Sequence, residues 1–170
     1  MLSGRAIILD MEEAMIEHSE ATCSPQAFMR RALALAREAA GRGEVPVGAV
    51  VTLRGEIVGE GQNRREHGKS ALLHAEIEAI GQACARLGGW RLWECELFVT
   101  LEPCPMCAGA IVNARIPRLV YGARDPKAGC CGSVVDLFAL PFNHRPEVLG
   151  GCLEEECAGL LRDFFAELRK

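Results

Sequence analysis

Cys104 and Cys107 are the two side chains in this 170-residue chain best spaced for chemistry. They sit in T-L-E-P-C-P-M-C-A-G-A-I-V-N-A-R, residues 100–115, where Pro103 closes an extended segment and the cysteines open an apolar helix. Residues three apart share a helix face, so both thiols can point at one object. The positive end of the helix favours thiolate over thiol. Two converging thiolates suit a zinc ion, although C-P-M-C alone fits a redox pair or two small buried residues equally well.

Upstream, His74-Ala75-Glu76 begins a second helical stretch, H-A-E-I-E-A-I-G-Q-A-C-A-R-L, stopped by Gly88-Gly89. Between the two, Glu96 to Thr100 (E-L-F-V-T) reads as a short strand. Helices joined through such a strand can bring both N-termini to one sheet edge. A neutral histidine nitrogen and two thiolates then make three ligands with a fourth corner for water, which is the catalytic zinc pattern. Glu76 lies two residues past the histidine, is not needed by the metal and is free to move protons. A fourth protein ligand from Cys130 would instead close the site into a structural zinc module, and Glu76 would then have no task.

Over this length, 49% hydrophobic and 25% charged residues fit one domain with an adequate core. No apolar run approaches the length of a membrane span, and the N-terminus lacks the pattern of a signal peptide. Nine scattered cysteines, including the adjacent Cys130-Cys131, read as reduced thiols in the cytoplasm. Cys84, Cys95, Cys152 and Cys157 read as small buried hydrophobes.

The net charge of −4 is unevenly placed. Residues 1–23 set Arg5 against Asp10, Glu12, Glu13, Glu17 and Glu20, which accounts for all of it. The rest of the chain balances 18 basic against 18 acidic side chains. Within that neutral body, Arg64, Arg65 and Lys69 outweigh Glu66, and Arg115, Arg118, Arg124 and Lys127 outweigh Asp125. Both clusters flank the candidate ligands, so a basic rim around the site suits a phosphate-bearing substrate.

The elements that would position these groups follow in order. Residues 1–23 read as a flexible, dispensable acidic extension, and residues 24–170 as the zinc-binding domain. Ser24-Pro25 starts a helix, with a stripe of Phe28, Leu35 and alanines and a stop at Gly41 and Gly43. V-P-V-G-A-V-V-T-L, the turn at Arg54-Gly55 and E-I-V-G-E-G form a hairpin. Asn63 ends it, facing the region of His74. R-L-V-Y-G after the cysteine helix is a further strand, residues 141–151 are punctuated by proline and glycine, and Glu154 to Lys170 is an amphipathic helix. Its face carries Cys157, Leu160, Leu161, Phe164 and Phe165. Trp90 and Trp93 flank a turn and read as packing residues, His67 as solvated and His144 as structural. Strands alternating with helices point to a three-layer α/β arrangement.

H-x-E combined with P-C-x-x-C is the established signature of zinc nucleobase deaminases. From about Ser24 to Lys170 the chain resembles the bacterial tRNA-specific adenosine deaminases of the cytidine deaminase-like superfamily. The resemblance rests on E-V-P-V-G-A-V, G-Q-N-R, H-A-E, T-L-E-P-C-P-M-C-A-G-A, Y-G-A-R-D-P-K-A-G, N-H-R and R-D-F-F. The acidic extension departs from that pattern, and many members carry a longer basic tail than Arg169-Lys170. The resemblance implies a three-layer α/β/α cytidine deaminase-like fold with a central mixed sheet. It implies one Zn2+ per chain on His74, Cys104 and Cys107, with Glu76 as proton shuttle. Asn63 and the backbone at Ala75 would contact a flipped purine, with Arg124, Asp125 and Lys127 beside the anticodon loop and Phe165 and Arg169 near flanking nucleotides. It further implies hydrolytic deamination of the wobble adenosine of an arginine tRNA to inosine by a homodimer. The other enzymatic reading is a deaminase of free guanine, cytosine or a nucleoside, against which the basic clusters and G-A-R-D argue.

Overall fold

The computed structural model of the protein describes residues 24–169; the acidic extension and Lys170 lie outside the described residues. Helix α1 (Pro25–Gly41) starts as its sequence dictates, with the Ser24 hydroxyl accepting from the Ala27 N–H at 3.2 Å. The hairpin strands β1 (Gly48–Leu53) and β2 (Glu56–Gln62) follow, then a single-turn helix α2 (Arg65–Gly68) and helix α3 (Ala75–Leu87). Next come β3 (Cys95–Leu101), α4 (Pro105–Ala114), β4 (Arg118–Ala123), a 3-10 turn (Leu137–Ala139), β5 (Glu147–Leu149) and α5 (Glu154–Glu167).

The sheet order is β2-β1-β3-β4-β5. β1 pairs antiparallel with β2 and β3, whereas β3, β4 and β5 run parallel, so the sheet is mixed as expected. Alternation along each strand divides two cores between its faces. Val51, Leu97 and Leu119 point into a cluster with Ala79 of α3 and Ile111 of α4. Their neighbours Val50, Phe98 and Val120 point the other way, against Phe28 and Leu33 of α1 and Cys157 of α5. Three layers result, with α3 and α4 on one face and α1 and α5 on the other.

α3 lies unusually close to the sheet because Gly61 has no side chain. A Cβ there would come within 2.7 Å of the Ala79 amide nitrogen. That close seat places the first turn of α3, and with it His74, against the strand ends.

Two expectations need correcting. Residues 147–149, read as part of a proline- and glycine-punctuated connection, form the parallel edge strand β5, with Val148 opposite Leu119. Three residues between Pro146 and Gly150 are too few to leave a period in the sequence. Trp90 and Trp93 do not pack inside: they are 53% and 64% exposed, and the Arg91 guanidinium stacks 4.0 Å from the Trp90 ring. Leu92 between them takes the core position.

Other expectations hold. His144 bonds to the Ile116 carbonyl through Nε2 at 2.7 Å. His67 is exposed. Cys95 and Cys157 are buried, Cys84 and Cys152 pack against the two cores from partly exposed positions, and all eight described cysteines are free. Among the described residues no helix is long and apolar enough to cross a membrane.

Candidate active site

His74 is the N-cap of α3 and Cys104 the N-cap of α4. Neither side chain caps its own helix, so both are available to something else. Cys107 lies one turn into α4, fully buried. His74 Nδ1 stands 3.6 Å from Cys104 Sγ and 3.5 Å from Cys107 Sγ. The three ligand atoms lie within 4.8 Å of one another, and they form the group among the described residues that could hold a metal.

These distances allow a test of fit. Zinc–nitrogen and zinc–sulfur bonds of about 2.05 and 2.3 Å, meeting at the tetrahedral angle, separate nitrogen from sulfur by about 3.6 Å. The observed separations agree, and one imidazole with two thiols is a donor set zinc favours. Cys130 stands apart from the trio; its buried thiol donates to the Ala128 carbonyl at 3.5 Å.

The two thiols shift in opposite directions. A hydrogen bond from Cys107, then His74, holds Cys104 at about 4 against the opposing effect of burial. Cys107, bonded to that thiolate and buried, is pushed up. The bond to Cys104 in turn raises His74. Glu76 is 4% exposed, and burial, its largest influence, lifts its carboxyl above the ordinary carboxylate range. A buried carboxyl beside a thiolate and an imidazole at a helix start is suited to proton transfer.

The trio opens onto a cleft of about 910 Å³, near the upper end of the usual range for ligand pockets, about 300–1,000 Å³. Asn63, His74, Ala75, Glu76 and Cys104 are among the residues that line it. Arg124, Asp125 and Lys127 from the turn after β4 line it too, as do Phe165 of the last helix and Arg169 just beyond that helix. Every site residue singled out in the sequence therefore borders the cleft, apart from Cys107, which is buried beside His74. α5 ends at Glu167, short of the expected Lys170, yet Arg169 still reaches the cleft.

The basic clusters divide by role. Arg64 is paired with Glu78, Arg115 bonds Asn143 Oδ1 at 2.6 Å, and Arg118 bonds Glu96 at 3.1 Å. Arg65, Arg124 and Lys127 are the members that line the cleft.

Sequence reasoning passed over two acids that shape this site. Glu44, 1% exposed, accepts from Asn63 Nδ2 at 3.4 Å and from the His67 N–H at 2.7 Å. It fixes which way the Asn63 amide faces. Glu102, 2% exposed, accepts from the chain that follows Arg124. Both sit in otherwise apolar stretches, E-V-P-V-G and T-L-E-P-C, and that isolation was the available signal.

The MafB19-like deaminase family matches residues 23–169. The tRNA-specific adenosine deaminase of Bacillus subtilis (strain 168) is 50% identical over 144 residues, covering 84% of this chain and 89% of its own. The chain belongs to the tRNA-specific adenosine deaminase family. Solved structures agree with that membership. A chain from a study of A-to-I editing by tRNA:A34 deaminases at the wobble position superimposes with a TM-score of 0.77 at 48% identity. The match covers 79% of this chain and 98% of that one. A guanine deaminase from Nitrosomonas europaea shares the fold more distantly, with a TM-score of 0.69 at 29% identity over 85% of this chain and 86% of its own.

Proposed function

We propose that the protein hydrolyses the wobble adenosine of a tRNA anticodon to inosine, releasing ammonia. The observation that carries this reading is the buried Glu76 carboxyl beside the His74, Cys104 and Cys107 donors, at the base of a cleft bordered by cations. His74 Nδ1 and the two cysteine sulfurs would hold one Zn2+, which when bound makes water a nucleophile accessible near neutral pH.

The chain's own groups do the rest. Glu76 takes a proton from the attacking water and delivers it to the ring nitrogen next to the reacting carbon. The water oxygen adds to that carbon, and a second proton carried by Glu76 leaves with the amino group as ammonia. One carboxyl serves as base and then acid, which a raised pKa suits. Asn63, oriented by Glu44, and the backbone at Ala75 hold the extruded purine. Extrusion favours a single-stranded loop, because a stacked base hides its reacting carbon. Arg124, Asp125, Lys127, Phe165 and Arg169 contact the anticodon loop, and an arginine tRNA with adenosine at the wobble position is the substrate.

The domain that does this occupies residues 24–170, and the acidic extension is dispensable. Exposed apolar residues Val134, Val135, Leu140 and Phe142 fit a homodimer contact. A tRNA substrate fits a cytoplasmic site of action.

The test is a pair of variants. Glu76→Ala should keep zinc by metal analysis and lose turnover, while Cys104→Ser should lose zinc. Retained turnover in the Glu76 variant would overturn the mechanism.

A further inference from the structure

Glu102 follows the last residue of β3 and precedes Cys104 by two residues, and its two carboxylate oxygens face one segment of the chain. Oε1 accepts from the Cys131 N–H at 2.8 Å and the Ser133 N–H at 3.1 Å. Oε2 accepts from the Asp125 N–H at 3.0 Å and from the Ser133 hydroxyl. A carboxylate has about four acceptor positions, so this one is filled. Among the described residues no ion pair involves Glu102, and its charge is met by the N–H dipoles of residues 125–133 instead.

The segment is wrapped tightly around the carboxylate. A Cβ at Gly129 would sit 2.5 Å from Glu102 Oε2 and 2.6 Å from the Asp125 carbonyl oxygen. The Gly129 N–H closes the turn on that carbonyl at 2.9 Å, and the Cys130 N–H donates to the Pro103 carbonyl at 2.9 Å. The front of the same turn, Arg124 to Ala128, is the wall of the cleft. Glu102, which itself borders the cleft, thus holds the neighbouring stretch that lines it, with no acceptor left over for a substrate proton.

We propose that Glu102 is a positioning residue that folds residues 125–133 around itself and so presents Arg124 and Lys127 to the RNA backbone. This rests on the RNA reading given above and deepens it. The conservative variant Glu102→Gln separates positioning from bulk. Its amide oxygen can keep the Cys131 and Ser133 N–H groups, and the Ser133 hydroxyl can turn to accept. The amide nitrogen then faces the Asp125 N–H donor to donor, releasing the end of the turn that lines the cleft.

The experiment uses the zinc-loaded full chain, with amide hydrogen exchange over residues 125–133 and steady-state kinetics on an anticodon stem-loop. Glu102→Gln should keep its zinc and kcat, speed exchange at Asp125, and raise KM roughly 10-fold, the effect of losing one hydrogen bond to a charged group. Lys127→Ala should cost less in that background than in the wild type, because the two act through one contact. Unchanged KM despite faster exchange would overturn the proposal, as would loss of zinc or a fall in kcat alone. If Glu102→Gln fails to fold, Ser133→Ala removes a single donor and should still raise both exchange and KM; no change in either overturns the proposal. A wild type that makes no inosine in the stem-loop sinks the underlying RNA reading and the positioning role with it. Unprotected amides at Asp125, Cys131 and Ser133 in the wild type, which need no substrate to measure, sink the clamp alone.

Discussion

Asn63 illustrates how a single polar side chain is fixed beside the cleft. Its backbone N–H donates to the Val47 carbonyl at 2.9 Å and its Nδ2 to Glu44, so the residue is held through main chain and side chain and is only 5% exposed. Replacing Asn63 with alanine should raise KM for an anticodon stem-loop about 10-fold, the scale of one buried hydrogen bond, and leave the zinc content unchanged. Equal KM in the two proteins would remove Asn63 from the substrate site. At this scale the sequence was informative wherever chemistry needs rare residue types in register. His74, Glu76, Cys104 and Cys107 stand in two short motifs whose spacing alone limits what they can do. Glu44 and Glu102 leave only a weak signal, their isolation in apolar stretches. A lone glutamate reads as surface, and only the folded chain shows backbone N–H groups converging on it.

Elements carry the site by where they begin. α3 and α4 both start at the cleft, and α3 can do so because Gly61 lets its backbone approach β2. Gly61→Ala should destabilise the fold by about 1–3 kcal/mol, as overpacking does. It should also weaken zinc binding, since the displaced turn carries His74. Thermal unfolding and a metal titration read the two effects, and a variant that melts like the wild type contradicts the tight seat.

On the opposite face, Arg31 of α1 bonds both oxygens of Glu60 on β2, at 2.6 and 2.8 Å. That bond holds Glu60 below the ordinary carboxylate range. A depressed carboxyl contributes stability above its unfolded pKa, and this is lost as pH falls through the folded one. Both side chains are about one-third or more exposed, so the contribution is no more than about 1 kcal/mol. Arg31→Ala should therefore lower the melting temperature slightly at pH 7, with the difference closing as the pH falls below the ordinary carboxylate range and Glu60 protonates. A gap that persists or widens in acid would mean that packing, not the ion pair, supplies the effect.

Most of these elements follow from their patterns: the capped start of α1, the short apolar strands and the glycine stop after α3. β5 and the two tryptophans did not. A three-residue strand is made by its partner β4, and Trp90 and Trp93 lose the core to Leu92, a competition that only packing decides.

The whole molecule is acidic, yet the charge that matters is local. Arg65, Arg124, Lys127 and Arg169 border the cleft while the sequence as a whole carries −4. If these four contact phosphates, the salt dependence of stem-loop binding should have a log–log slope near −3, at about −0.7 per contact for single-stranded RNA. Each alanine substitution should flatten it by about 0.7. A slope near zero would mean that the cations serve solubility instead. Because the acidic surplus lies in residues 1–23, a chain beginning at Ser24 should fold and deaminate as the full chain does, and loss of either would give the extension a role.

The central claim is that this zinc-type site works on an adenosine presented by RNA. The most direct measurement is inosine formation at the wobble position of an A-C-G anticodon stem-loop, run beside free adenosine, guanine and cytidine. Inosine in the stem-loop, with the three small molecules left intact, is the predicted result. Turnover of a free base or nucleoside in place of the stem-loop would contradict the RNA reading, and inactivity on all four would contradict catalysis itself.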